Sequence, residues 1–364
     1  MTIKGGSPQV YILLLLAVTS SSIWHVLGKL ALTKGMDAGI FLVYRLLISA
    51  AILLLGGSYV LRIPYVSCPP ELQTRLVLIG IATCLHSFFF VYGLQLTNPF
   101  LCAVMQPAVP VLVWLFSVIS GTEQSNVRKA IGVVLCSLGA VGAAAASSHH
   151  AEHTSAKAGH NFKVGVVLLF LQCVFYAAHL VYQQSLLTVL PPVQTIGTLY
   201  AIAGTVMFLV AVTQTVLIKL VFPMVAPEKA ALYIPPDWRL SPDPTAWLAL
   251  AFCVLFASVF THGVYTWATK RVAATTVSVF ITVEPLTTTL VSLIITKSGL
   301  PSVAEAACAG AVALGVVLVL LGGPGRPHTE EYEIVPTTNQ EFELDEDSTR
   351  PRRGSLSDVQ VHRI

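Results

Sequence analysis

The sequence has little charge. Only 11% of its 364 residues are charged, whereas soluble proteins carry about 25%. Hydrophobic residues make up 55% of the chain, which argues against two ordinary soluble domains of this total length. The net charge is only +3, and nine of the 18 acids follow Gly323, so no basic surface for nucleic acid is indicated.

Several chemical motifs are missing as well. The chain has no GxxxxGK[ST] phosphate loop, no GxSxG nucleophile motif and no HExxH zinc motif. Its seven cysteines form no CxxC pair, and six of them fall in apolar segments, which argues against a disulfide framework. We therefore predict a protein that is not an enzyme and that has no cofactor and no metal site.

The chain is instead rich in long apolar runs. About 20 apolar residues in a helix cross a bilayer core about 30 Å thick, and backbone groups in hydrocarbon must hydrogen-bond internally. We predict an all-α integral membrane protein whose ten transmembrane helices lie at 9–33, 37–60, 74–95, 97–120, 128–147, 163–187, 193–222, 244–268, 273–296 and 302–322. The first run is too long for a signal peptide, so we interpret it as an uncleaved helix.

The two halves of the chain repeat one another. Residues 97–144 align with 275–322 without a gap, so that Gln106-Pro107 matches Glu284-Pro285. Five helices per repeat is an odd number, so the second repeat must enter the membrane in the opposite sense. The predicted division is an N-terminal segment 1–8, a first repeat 9–147, a polar linker 148–162, a second repeat 163–322 with a loop at 222–243, and a disordered acidic tail 323–364.

Inverted repeats are a common plan of secondary transporters, whose binding sites lie between the repeats near the midplane of the bilayer. The repeat therefore predicts a carrier of a small organic solute that works by alternating access. A membrane receptor or scaffold that binds partners through its tail remains an alternative. The expected partners are the lipid bilayer, the solute and protons, and a homodimer through small-residue helix faces is compatible with the sequence.

Ionisable residues inside a predicted span are costly and are therefore functional candidates. Glu284 lies near the middle of the ninth span, where it predicts proton coupling or the binding of an amine. A structural hydrogen bond or an ion pair with Arg45 is the alternative. Pro285 frees a backbone carbonyl one turn earlier, so it and its repeat mate Pro107 are predicted to kink their helices. Gln106 is expected to face Glu284 across a cavity.

Arg45 can bind a substrate carboxylate through its two-pronged guanidinium group, or it can hold a helix end. The histidines in the spans can relay protons or contact the solute, or they can be ordinary core residues. Aromatic side chains can line the cavity or pack in the core. The remaining candidates for substrate binding or coupling are His25, His86, His179, His262, Trp24, Tyr176 and Tyr265.

Residues 28–32 (Gly-Lys-Leu-Ala-Leu), then Gly35-Met36 and Tyr44-Arg45, resemble the EamA domain of the drug/metabolite transporter superfamily, and most of all its plant-type walls-are-thin-related group. Residues 277–285 and 315–322 look EamA-like in the second half, and the resemblance covers most of 9–322. It implies ten helices, an inverted repeat, a central cavity and cytosolic termini in the plasma membrane or an endomembrane. It implies amino acids, auxin-like or purine-like metabolites as solutes, with a nucleotide-sugar or other Golgi antiporter as the alternative. The family often has asparagine where His25 stands.

Overall fold

The computed structural model describes residues 8–63, 65–122, 126–152, 159–221, 238, 243–295 and 302–321, and these residues form helices without a β-strand. The predicted acidic tail and all of the 222–243 loop except Trp238 and Asp243 lie outside the described residues. The helices are α1 (Pro8–Thr33), α2 (Ala38–Leu55), α3 (Pro70–Leu96), α4 (Pro99–Met105), α5 (Ala108–Ile119), α6 (Val127–Glu152), α7 (Gly159–Leu187), α8 (Pro192–Val216), α9 (Pro244–Phe252), α10 (Gly263–Thr269), α11 (Ala274–Ile281), α12 (Glu284–Ile295) and α13 (Val303–Leu321). Three π-helical segments extend or join them, at Gly56–Val60, Leu217–Val221 and Cys253–His262.

Seven stretches of the described chain are long and apolar enough to cross a membrane. They coincide with the first four and the sixth to eighth predicted spans, and they are Pro8–Thr33, Ala38–Val60, Pro70–Leu96, Pro99–Ile119, Phe162–Leu187, Pro192–Lys219 and Pro244–Thr269. Helices α6, α11, α12 and α13 lie at the other three predicted spans. Since α11 and α12 have only 8 and 12 residues, neither crosses a bilayer alone. The count of ten spans therefore remains a prediction.

Helix α6 is longer than the sequence pattern indicates. It ends at Glu152, whereas the predicted span ends at residue 147 and is followed by a polar linker. The run Ala143 to Ala146 precedes this extension, and alanine has the highest intrinsic helix propensity. Hydropathy marks where apolar residues stop, and a helix can continue past that point.

The outside of the helices is apolar, and the interior contains charged groups. Leu16 on α1, Leu209 on α8 and Leu248 on α9 are 53%, 57% and 69% exposed. Arg45 and Glu284, in contrast, are buried. A soluble protein places these residue types the other way round, so this arrangement fits a multi-pass protein with lipid around it.

Helices of the first half of the chain pack against helices of the second half, and these pairs match one another. Helix α1 packs against α12 and against the whole segment from α9 to α10, whereas α7 packs against α5 and α3. Helix α2 packs against α8, α6 against α13, α5 against α11, and α4 against α12. The helices that carry the candidate site residues therefore meet in one interior.

Both predicted proline positions lie at breaks between helices. Helix α4 ends before Gln106 and α5 begins after Pro107, with a tight turn between them. In the second half, α11 ends at Ile281, although Pro285 is four residues further on. A proline has no N–H for the carbonyl four residues earlier, so the helix ends where that donor is missing. The two breaks therefore differ by two residues in the repeat alignment.

Helices α6 and α13 approach each other closely along a seam of small residues. A Cβ atom at Gly315 would lie 2.6 Å from the Gly132 carbonyl oxygen and 2.8 Å from the Cys136 backbone nitrogen. A Cβ atom at Gly139 would lie 2.9 Å from the Cys308 carbonyl oxygen. Glycine thus lets the two backbones touch, which is how small residues bring helices together in a bilayer.

Lys29 ties α1 to the end of α3. Its Nζ atom donates to the carbonyl oxygens of Leu94, Gln95 and Thr97, at 3.0, 2.8 and 2.6 Å. The last carbonyls of a helix have no donor within the helix and carry a partial negative charge, so an ammonium group suits them. The lysine therefore fixes α1 next to the turn at which α3 passes into α4.

Replacement of Lys29 with methionine should destabilise the protein by about 2 kcal/mol, because the three carbonyl oxygens lose a charged donor while the apolar stem is kept. Thermal unfolding in detergent measures this change. Lys34→Met is the matched control, since its exposed ammonium group pairs with Asp243 at 3.2 Å and such surface pairs contribute about 0–1 kcal/mol. Equal melting temperatures for the two variants would contradict this role of Lys29.

Candidate functional site

Glu284 and His25 form a buried pair between α12 and α1. The Glu284 Oε2 atom lies 3.7 Å from His25 Nε2, and the two residues are 2% and 1% exposed. Oε2 accepts no hydrogen bond from the described residues, while the Ser21 side chain lies beside the carboxyl group. Glu284 is also the first residue of α12, where the helix dipole favours a negative charge. The carboxyl group therefore lies beside an imidazole group and at a helix start.

Hydroxyl groups hold this pair in place. Thr288 Oγ1 lies 3.4 Å from His25 Nδ1, on the side of the imidazole opposite to Glu284. Ser22 on α1 hydrogen-bonds with Thr287 on α12, and its Oγ atom is 3.4 Å from the Glu284 backbone oxygen. Such contacts between helices are typical of membrane interiors. They connect α1 firmly to the start of α12.

Arg45 on α2 is another charged group of the interior. Its Nε atom donates to Ser258 Oγ at 2.9 Å, and its Cζ atom lies 5.2 Å from the centre of the Trp24 ring. The Tyr200 hydroxyl group lies beside Arg45 and Ser258. Trp24 in turn stacks on Phe41, at 5.3 Å between ring centres.

The contacts of Arg45 offset the cost of its burial without an acidic partner among the described residues. One hydrogen bond to a charged group contributes about 1.5–3 kcal/mol, and a desolvated cation–π contact adds about 2 kcal/mol. Removing a charged group from water costs several kcal/mol, and usually a partner of opposite charge compensates. The ion pairs of the described residues, His25–Glu284 and Lys34–Asp243, do not include Arg45. Within the part of the chain that the structure describes, the guanidinium group therefore has no carboxylate partner.

Three histidines and two tyrosines form a ring cluster, defined as His86, Tyr176, His179, His262 and Tyr265. The His86 ring centre lies 4.9 Å from that of Tyr176, 6.0 Å from that of His179 and 5.9 Å from that of His262. The His262 ring centre is 5.8 Å from that of Tyr176 and 6.1 Å from that of Tyr265. His86 Nδ1 and Tyr265 Oη are buried and make no hydrogen bond with the described residues. Unpaired buried polar atoms of this kind indicate a place for water or a ligand.

The π-helical segment Cys253–His262 connects Arg45 to the ring cluster. It contains ten residues and carries both Ser258, the acceptor of Arg45, and His262 of the cluster. A π-helix is wider than an α-helix and is rare, and it is frequent at functional sites. Ser258 and His262 are four residues apart, so the Ser258 hydroxyl group and the His262 ring lie on similar faces of this segment.

Tyr176 lies between the two charged groups, within electrostatic range of both Glu284 and Arg45. These groups form one site, but the site is closed. Its candidate residues are less than one-tenth exposed except for His262, which is partly exposed. Free thiols are buried around it: Cys102 and Cys173 lie within electrostatic range of Glu284, and Cys253 lies within range of Arg45. Access to these side chains from outside the protein therefore requires the helices to move apart.

The structure brings most of the predicted candidates together. Glu284 meets His25 instead of Arg45, Arg45 meets Trp24, and the other histidines and tyrosines form the ring cluster. Gln106 is buried at the α4–α5 break, and its Oε1 atom makes no hydrogen bond with the described residues. The break brings α4 against α12, so Gln106 and Glu284 lie on helices in contact.

Three hydroxyl residues of the site are not among the candidates predicted from the sequence. Ser258, Thr288 and Thr83 each contact a candidate residue, and Thr83 Oγ1 lies 2.9 Å from His179 Nδ1. Serine and threonine are common in transmembrane helices. No signal in a single sequence separates these three from the others.

Comparisons with known proteins agree with this architecture. Residues 9–145 and 163–321 match the model of a family described as the EamA-like transporter family. A solved crystal structure superposes on this chain with a TM-score of 0.61, and the alignment covers 85% of this chain and 97% of the other at 17% sequence identity. At that identity the likeness shows a shared fold and nothing about the solute.

Proposed function

The chain belongs to the EamA-like transporter family, and on that premise we propose that it is a secondary transporter that moves a small organic metabolite by alternating access, with proton coupling at Glu284. That it is a multi-pass membrane transporter follows from the family and from the seven apolar helices. Amino acids, auxin-like acids and purine-like compounds are the proposed solutes. We place it in the plasma membrane or an endomembrane, with both termini in the cytosol.

We further propose that ten helices form two inverted repeats. The family model matches the chain twice, over residues 9–145 and 163–321. The helix packing supports the same division. Helix α1 of the first half packs against α12 and α9 to α10 of the second half, and α7 of the second half packs in the same way against α5 and α3 of the first. A two-fold relation between the repeats would produce such matched pairs. The resemblance to the walls-are-thin-related group is consistent with this plan.

The observation that supports a transport function most strongly is the closed, charged interior. Glu284, His25 and Arg45 are buried where helices of both halves meet. Charged groups inside a membrane protein are costly and mark paths for ions or solutes. A site between repeats that is closed in one conformation is what alternating access requires.

Transport by purified protein in liposomes tests the proposal. Liposomes that contain a pH-sensitive dye are exposed to pools of amino acids, indoles, purines or nucleotide sugars, with protein-free liposomes as the control. We expect one pool to enter and to change the internal pH. If the protein moves no solute from any pool, the transport proposal is wrong.

The same liposomes separate the alternatives. A nucleotide-sugar or other Golgi antiporter would take up its solute only when a nucleotide or another exchange partner is loaded inside. A receptor or scaffold would move nothing, and its role would depend on the tail. A variant that ends at residue 323 should keep the transport rate of the full chain if the protein is a carrier.

A further inference from the structure

Lys29 lies on α1 between the buried Glu284–His25 pair and one face of the membrane. It follows His25 by four residues, and residues at this spacing are neighbours on one side of a helix. The Cys102 thiol of α4 is fully buried and lies within electrostatic range of both Lys29 and Glu284. The carbonyl oxygens that Lys29 binds belong to the end of α3 and the turn that follows it. Lys29 therefore closes the interior toward the membrane face at which α1 ends.

The bonds of Lys29 connect two helices that have different neighbours. Ser22 of α1 hydrogen-bonds with Thr287 of α12, and the Ala17 carbonyl oxygen of α1 accepts a hydrogen bond from Thr261 of the π-helical segment. Helix α1 is thus fastened to the second half of the chain. Helix α3 packs against α7 and α8 instead. A movement of α1 with its second-half partners away from the end of α3 must therefore break the bonds of Lys29.

The opposite end of the interior is closed by apolar packing. Leu14 of α1, Val113 of α5 and Val277 of α11 are buried in one apolar cluster. When the two halves are aligned with a shift of 155 residues, Gln184 on α7 matches Lys29, and glutamine has no charge. The two ends are therefore closed by different chemistry, so a change at Lys29 acts on one end alone.

We propose that Lys29 is the latch of a gate, and that the site opens toward the face at which α1 ends only when its ammonium group releases the three carbonyl oxygens. This inference rests on the proposed alternating access and names the residue that controls one of its two openings. A charged donor on three carbonyl oxygens is strong while the end is dry, and water replaces these bonds once it enters. With both termini in the cytosol, as proposed above, this gate is on the non-cytosolic side.

Amide hydrogen exchange of the purified protein in detergent tests the latch without any solute. Residues 94–105 form the end of α3, the turn and α4. Lys29→Met should speed their exchange about ten- to thirtyfold, because opening of this end no longer breaks charged hydrogen bonds. Lys29→Arg keeps a charged donor and should exchange close to the wild-type rate. Gly315→Ala is the control for lost stability, since it disturbs the seam between α6 and α13 and should leave exchange of residues 94–105 unchanged.

A reversible cross-link tests whether these bonds must break during transport. Lys29→Cys and Gln95→Cys are combined, joined by a methanethiosulfonate reagent with two reactive ends, and released with a reductant; the Gln95 side chain is exposed. We expect the cross-linked protein in liposomes to lose solute uptake, to regain it after reduction, and to melt no lower than the reduced protein. A residue that only holds the fold together would not behave so, because the link replaces its bonds. Wild type and Lys29→Cys alone, treated with the same reagent, are the controls.

The outcomes separate the latch from the transport proposal. Unchanged exchange of residues 94–105 in Lys29→Met, equal acceleration in Gly315→Ala, or full uptake by the cross-linked protein would overturn the latch. If Lys29→Met does not fold, the same exchange measurement on Lys29→Gln and the cross-link decide the case. If wild-type protein moves no solute, the transport proposal fails, and the exchange of residues 94–105 decides the latch by itself.

Discussion

Glutamine at position 284 is expected to reduce solute-driven proton flux to the level of protein-free liposomes. Glutamine matches glutamate in size and keeps hydrogen-bonding atoms, but it cannot bind and release a proton. Glu284 Oε2 lies 3.7 Å from His25 Nε2 and accepts no hydrogen bond from the described residues, so we expect this carboxyl group to carry the proton. The measurement is internal pH during uptake of the solute.

Glu71→Gln is the control for this variant. Glu71 lies in the first turn of α3 and is exposed, so the same chemical change there should leave proton flux unaltered. Solute movement without protons in Glu284→Gln would show that Glu284 couples the two fluxes. Undiminished proton flux in that variant would overturn the assignment and leave Glu284 with a structural role.

The stability of Glu284→Gln reports the charge of the pair. If glutamate and histidine are both charged, the substitution leaves His25 as an uncompensated buried charge and should cost about 3–5 kcal/mol. If both are neutral, glutamine resembles the protonated acid and the melting temperature should hardly change. The double variant with His25→Gln then separates the pair energy from the effect of each side chain.

Alanine at Gly315 should destabilise the protein by roughly 1–3 kcal/mol or more, since inserting even one methyl group into a packed interface is costly. The Cβ atom would lie 2.6 Å from the Gly132 carbonyl oxygen and 2.8 Å from the Cys136 nitrogen. Both are backbone atoms of α6, so no side chain can move aside and the helices must separate. Thermal unfolding in detergent measures the loss.

Gly310→Ala provides a control in the same helix. Among the described residues, no atom of another helix lies within 4 Å of the position that its Cβ atom would occupy. The substitution should raise stability by up to about 1 kcal/mol, because alanine favours a helix more than glycine does. Both variants replace a glycine with alanine, and they differ only in the atoms that face the new methyl group. Shifts of the same sign would contradict the close seam between α6 and α13.

Apolar runs predict where helices lie more accurately than where they end. The first span was expected at 9–33, and α1 is Pro8–Thr33. The third was expected from 74, but α3 starts at Pro70, because proline and Glu71 favour a first helical turn that is not apolar. A helix start depends on capping and backbone preference, to which hydropathy is insensitive.

The candidate site was predictable in its members but not in its pairs. The rule that charged residues in spans are functional candidates selects Glu284, Arg45 and His25. It does not say that Glu284 meets His25, since that contact joins residues of opposite halves through the packing of α1 on α12. The π-helical segment that carries Ser258 and His262 has no sequence signature either. Pairing depends on how the helices assemble.

The buried thiols around the site can report toward which face of the membrane the site opens. Cys173 is near Glu284 and Cys253 is near Arg45, and both thiols are buried and form no disulfide in the closed conformation. A maleimide that cannot cross the membrane reacts with a thiol only when water connects the two. Labelling read at Cys173 and Cys253 from one face of the membrane, apart from the partly exposed Cys68 and Cys308, would therefore register each opening toward that face. A bound solute would change the rate of this labelling without any introduced cysteine.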